Sequence, residues 1–253
     1  MTVAVEQLDV GLRRRTAAGW LVTPAVLAAV LIALWLFVSA RPLDSIEERR
    51  VNLEFIRVAA VEHITLTLVS TLLVLVVAVP VGIALTRPFA RRITGPAVTV
   101  FNIGQSVPSI GLLVLLAIVW GIGFWPAVVA LVAYSALPVL RNTMIGLRQV
   151  DESVIEAGRG MGMSKFDVLR RIELPLAVPV ILTGLRTALV INVGTATLAA
   201  LVNAGGFGGI IITGLVQNRQ LVTIVGSVLT AVLALLIDYL GRLAEEVLRP
   251  KGL

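Results

Sequence analysis

Few side chains in this sequence could break or make bonds. It has no cysteine, so thiolate metal sites, iron–sulfur clusters and thiol nucleophiles are excluded together. One histidine, His63, stands beside Glu62 at the expected outer mouth of a span, an interfacial place and too little for zinc chemistry. The two lysines, Lys165 and Lys251, follow Ser164 and Pro250 rather than a glycine-rich loop, so the phosphate-holding motif of an ATPase is missing. Asp238 lies in an apolar run four residues before Arg242, a spacing that suits a helix-surface ion pair rather than the buried carboxylate of an ion-coupled transporter. No set of bases, nucleophiles or metal ligands converges in the pattern, which sets aside a membrane-embedded enzyme; no catalytic residue, metal or cofactor is expected. Around Glu156, Ala157 and Gly158 small, apolar and flexible residues sit together on a short polar segment, which on the residues alone suits an amphipathic connector whose Glu156 caps its own helix.

The elements that hold these residues are membrane spans. Of 253 residues, 58% are apolar and 14% charged, far from the balance of a soluble domain. Charge-free runs extend over 16–40, 64–86, 93–140, 187–218 and 220–237. A bilayer core needs about 20 apolar residues per helix, so the third run holds two spans, with a turn at Gly121-Ile122-Gly123-Phe124-Trp125-Pro126. Six spans are expected in an all-α, polytopic fold. The first run, preceded by Arg13-Arg14-Arg15 and ending Val38-Ser39-Ala40, has the outline of a signal peptide. Its apolar stretch exceeds the 7–15 residues of a signal core, so it is read as a retained span.

Orientation follows from the basic residues. The net charge is +6, and all but two of the 21 basic residues are arginine. If both termini are cytoplasmic, 16 of the 21 fall on the cytoplasmic side, leaving Arg41, Arg49, Arg50, Arg57 and Arg219 outside. The outer stretch 41–62 also carries Asp44, Glu47, Glu48, Glu54 and Glu62 and reads as a surface helix or loop. Residues 1–62 are thus a tail, first span and outer segment, 63–248 a core with a cytoplasmic loop at 147–175, and 249–253 a tail.

That loop should form two short helices. Ser153-Val154-Ile155-Glu156 and Ser164-Lys165-Phe166-Asp167 both look like helix starts, with Gly158, Gly160 and Gly162 between them. Phe166, Leu169 and Ile172 are spaced to share an interfacial face, and Pro175 suits the first turn of the following span.

The run Glu156-Ala157-Gly158, three residues, Gly162, nine residues, Ile172, one residue, Leu174-Pro175 resembles the EAA loop of ABC importer permeases. It departs only in having glycine at Gly158, where alanine is more usual. The surrounding text, with Arg141-Asn142-Thr143, Val150-Asp151 and Glu173-Leu174-Pro175-Leu176, looks most like permeases of glycine betaine, carnitine and choline importers. The resemblance covers about 64–248. It implies a type I importer permease in the cell membrane that docks Val154, Ile155, Glu156, Ala157, Gly158, Met161 and Gly162 into a cytoplasmic ATP-binding subunit. It also implies an extracytoplasmic substrate-binding protein, a second permease copy or homologue, a bilayer surround, no nucleic acid and no cofactor. The implied cargo is a compatible solute, with methionine, sulfonate or phosphonate as the alternative.

Polar residues inside the spans fall into two groups. Asn102, Gln105 and Ser106, and Asn192, Thr195 and Thr197, are suited to helix-to-helix hydrogen bonds, or else to lining a translocation path. Asn203-Ala204-Gly205-Gly206-Phe207-Gly208-Gly209 is too rich in glycine to continue a helix, and Gly205 and Gly206 are read as a loop or an outer gate. Trp20, Trp35, Trp120 and Trp125 fall near span ends, where indole anchors to the interface.

Overall fold

The computed structural model describes residues 17–248. Arg13–Arg15, Arg249, Lys251 and the tail 249–253, all used in the orientation argument, lie outside the described residues.

The chain order is α1 Ala17–Ser39, α2 Ser45–Val51, α3 Leu53–Leu85, α4 Thr94–Ser106, α5 Ser109–Trp120 and α6 Phe124–Arg148. Then follow α7 Glu152–Gly160, α8 Lys165–Val168, α9 Leu174–Ala196, α10 Phe207–Val216 and α11 Gln220–Leu248. Among the described residues every regular element is helical. Five helical stretches are long and apolar enough to cross a bilayer, and α4 with α5 makes a sixth that is bent by 94°. The bend is the main departure from expectation. Its cause is Pro108, which cannot continue the hydrogen-bond ladder and pushes Val107 into an extended conformation. The expected turn between spans three and four does fall at Gly121 and Gly123, both at positive φ, 101° and 131°.

α3 starts eleven residues before the expected span, so the boundary drawn at 62/63 falls inside a continuous helix. The stretch 41–62 contains α2 and the first turns of α3. Asp44 caps α2 by accepting from the Ile46 and Glu47 backbone N–H groups, while Glu47 reaches back to the Asp44 N–H.

α3, α6 and α9 form the centre of the bundle, and small residues let them approach. A methyl group on Gly82 of α3 would stand 2.8 Å from Thr143 Cβ on α6, and one on Gly184 of α9 would stand 2.7 Å from Asn142 Cβ. This is how helices associate in lipid, where apolar side chains gain little by leaving the tails. Two apolar clusters fill the gaps. One joins Val74, Ala78 and Leu85 to Leu137, Leu140, Met144 and Ala188; the other joins Leu66 to Leu113, Leu131, Ala196 and Val202. α11 packs on α9 and α10. α1 is peripheral: Leu27 is its one buried hydrophobic residue among the described residues, whereas Leu21, Val22, Ile32 and Trp35 are exposed as lipid-facing residues would be. Tyr239 Oη donates to Trp20 O at 2.9 Å and fixes where α1 meets α11.

Candidate functional site

The candidate residues fall at two ends of the bundle and in a polar seam between them. At the first end α7 and α8 project as a helical hairpin. The cap of α7 is Asp151 rather than Ser153: Asp151 Oδ1 accepts from the Ser153 N–H at 2.8 Å. Asp151 wins because Ser153 is already inside the helix that begins at Glu152. Bonds from Ser153 hold the Asp151 carboxyl below the usual carboxylate range. The second start signal is placed as expected, with Ser164 Oγ accepting from the Asp167 N–H at 3.1 Å.

Along α7, Val154, Glu156 and Ala157 are exposed and Ile155 is half-buried; Met161 and Gly162, just past its end, are exposed. Met161 is 76% exposed, a large value for a methionine with no neighbour to cover it. Gly158 differs from these: it is buried, and a methyl group there would stand 2.6 Å from Ile172 Cδ1, so its small size serves packing inside the hairpin. The expected face of Phe166, Leu169 and Ile172 is also split. Leu169–Glu173 forms a π turn, whose wider winding leaves Phe166 68% exposed and turns Ile172 inward.

Between α9 and α11, Asp238 does more than pair with Arg242. Arg186 Nε lies 3.0 Å from Asp238 Oδ1, and Arg186 Nη1 lies 3.0 Å from Glu245 Oε2. The network ties α9 to α11 across a close approach at Gly241.

In the seam, Asn192 is fully buried and donates through Nδ2 to Thr71 Oγ1 at 2.9 Å. His63, Thr67 and Ser70 are fully buried with it. Asn102 is half-buried near the end of α4 and accepts from Arg141 Nη2 at 2.8 Å; Gln105 is half-buried one turn on, just before the bend. Thr195 is half-buried in the last turn of α9.

At the second end the glycine segment breaks the helix as its composition requires. Asn203, Gly205 and Gly206 adopt positive φ of 57°, 82° and 85°, and α10 begins at Phe207. Two neighbours on α3 clamp this turn. Glu62 Oε2 accepts from the Gly206 N–H at 2.8 Å, and His63 Nδ1 accepts from the Phe207 N–H at 3.3 Å. The other ring nitrogen, Nε2, therefore carries the hydrogen and donates to Val193 O at 2.9 Å. The interfacial place expected for His63 is thus corrected: it is fully buried, with its ring centroid 5.3 Å from that of Phe207. Nothing in the local sequence signals this, because its bonded partners lie 130 and 144 residues away.

A bundle of apolar spans with a helical hairpin at one end defines a polytopic membrane protein. The chain belongs to the family of binding-protein-dependent transport system inner membrane components, whose model matches residues 78–250. It is 42% identical over 192 residues to the choline transport system permease protein OpuBB of Bacillus subtilis, covering 76% of this chain and 88% of that protein. It is 40% identical over 211 residues to the osmoprotectant import permease protein OsmY of Salmonella typhimurium, covering 83% and 88%. Among solved structures, the inward-facing methionine ABC transporter MetNI matches with a TM-score of 0.68 and 26% identity, over 77% of this chain and 96% of that one. The protein is thus a multi-pass membrane permease subunit of an ABC transporter, a class that works with ATP-binding subunits and a substrate-binding protein.

Proposed function

We propose that this permease imports a compatible solute of the glycine betaine, choline, carnitine or proline type, handed over by an extracytoplasmic binding protein. The observation that carries the cargo is the resemblance to relatives whose names record choline and osmoprotectant import, over three quarters or more of this chain. Methionine is the competing cargo, favoured by the structural likeness to MetNI.

The ATP-binding subunit docks on α7 through Val154, Ile155, Glu156, Ala157, Met161 and Gly162, with Gly158 shaping the hairpin from within. Met161 and Val154 supply adaptable apolar contact, and Ala157 allows close approach. The end that carries the hairpin is cytoplasmic, and so are both termini. Supporting this, the start of α1 meets α11 through Trp20 and Tyr239, beside the Asp238–Arg242 pair at that same end. Residues 63–248 act as the permease core, and a second copy or homologue completes the path. Asn102, Gln105 and Thr195 border that path, Asn192 supports it from inside the bundle, and the turn at Gly205 and Gly206 is its outer gate.

The test is uptake by cells that lack their own osmolyte importers and that express this permease with an ATPase and a binding protein of the family. ATP-dependent accumulation of labelled glycine betaine or choline, but not methionine, is expected. Methionine uptake alone would replace the cargo assignment.

A further inference from the structure

The hairpin is fastened to the bundle at a point that the docking surface does not include. Arg87 follows α3 by two residues, and Glu173 ends the π turn that feeds α9. Although 86 residues apart in sequence, they meet in a two-pronged ion pair, with Nη1–Oε1 at 3.2 Å and Nη2–Oε2 at 2.5 Å. The Glu173 side chain is 5% exposed and that of Arg87 27%. Arg87 is aimed by its own surroundings, since its Nε and Nη2 donate to Thr86 Oγ1 at 3.1 and 3.0 Å. By contrast, Arg91 and Arg148, which line the neighbouring cleft, form no ion pair among the described residues. A carboxylate so withdrawn from water is costly to leave without its partner, so the pair is a stiff link rather than a loose surface contact.

The other side of the π turn receives α7. Gly158 seats directly on Ile172, the residue before Glu173, and Met163 and Val168 close around the same spot. A displacement of α7 therefore reaches Ile172, next to Glu173, together with Met163 and Val168. Beyond the apolar cluster in which Leu169 and Leu174 pack with Val79 and Ile83 of α3 around Leu147, Ala177 and Ile181, two stiffer routes lead onward. One is covalent, from Glu173 into α9; the other runs through Arg87 into α3. The π turn is the short, widely wound segment from which both depart, and such turns recur where helices serve function.

We propose that the Arg87–Glu173 pair is a transmission link that makes α3 follow α9 when the ATPase moves the hairpin. Both are positioning residues that touch neither solute nor nucleotide. Without the pair, α3 is pulled only through its lateral packing and the bonds Asn192–Thr71 and Val193–His63, so it follows α9 less rigidly and the seam takes up the strain. The link rests on α7 being the docking element.

The test uses the full complex of permease, ATPase and binding protein in proteoliposomes, with labelled choline and glycine betaine as probes. Solute moved per ATP hydrolysed is compared for wild type, Arg87→Gln, Glu173→Gln and the exchange Arg87→Glu with Glu173→Arg. The single variants should assemble and hydrolyse ATP, while the ratio falls by about tenfold, within the usual span of coupling between distant sites. The exchange should restore most of it. Should either single variant fail to assemble, Arg87→Lys keeps the charge, loses the fork, and should give an intermediate ratio. An unchanged ratio overturns the proposal. So does a parallel loss of transport and hydrolysis, or an assembled exchange with no recovery. An Ala157→Trp permease that still binds ATPase and transports would refute the docking surface instead, a result separable from the others.

Discussion

His63 illustrates how one side chain can be wrong for chemistry and right for architecture. Both ring nitrogens are engaged, one accepting from the Phe207 N–H and one donating to Val193 O, inside a bundle where no water replaces either bond. His63→Ala leaves a buried N–H and a buried carbonyl without partners, at about 1–3 kcal/mol each. The thermal midpoint of the detergent-solubilised protein should drop accordingly, and His63→Asn, which keeps an acceptor near Nδ1, should recover part of the loss. Gly206 sits on the other side of the same contact. Its φ is 85°, and a methyl group there would stand 3.0 Å from His63 Nδ1, which leaves no room for a side chain. Gly206→Ala should destabilise the protein by about 1–2 kcal/mol from backbone strain alone, with further loss from the displaced imidazole, again read by thermal melting. A break at 203–209 is announced by the sequence, because glycine density is a local signal. The clamp is not, because Glu62 and His63 find their partners across the fold.

Among the elements, the hairpin separates local from non-local information most clearly. The two helix starts and the glycine break between them are legible, since capping and flexibility act within a few residues. The competition between Asp151 and Ser153 for the cap, and the π turn at Leu169–Glu173, are not: both depend on where the flanking spans hold the ends of the loop. The distinction between Ala157 and Gly158 matters experimentally. Ala157→Trp enlarges an exposed position and should abolish co-purification of the ATPase while the permease itself melts as before. Gly158→Leu drives a side chain into Ile172 and should lower the melting midpoint even with no ATPase present, by about 1–3 kcal/mol as an overpacked core does. If both variants behaved alike in the two measurements, the division into an outer and an inner face of α7 would be wrong.

At the scale of the whole chain, hydropathy reveals the number of spans, because the bilayer imposes its length rule on every segment separately. Packing order is hidden, since it depends on small residues such as Gly82 and Gly184 meeting specific neighbours. Orientation is open to a direct check because the protein has no native thiol. A single cysteine at Gly160 should react with a membrane-impermeant maleimide only after cells are opened, and one at Asn203 should react in intact cells. The reverse pattern would invert the topology.

The right-angled elbow between α4 and α5 bears on how much of the transporter one chain represents. Its arms have 13 and 12 residues, about 20 and 18 Å long at the usual helical rise, so neither reaches across hydrocarbon alone. Pro108 has no N–H to offer the carbonyl one turn earlier, and polar backbone around such a break is tolerable at that depth only against protein or water. A solitary copy floating in lipid would leave this corner bare, and covering it is a reason, independent of any transport cycle, for the polypeptide to seek a neighbour.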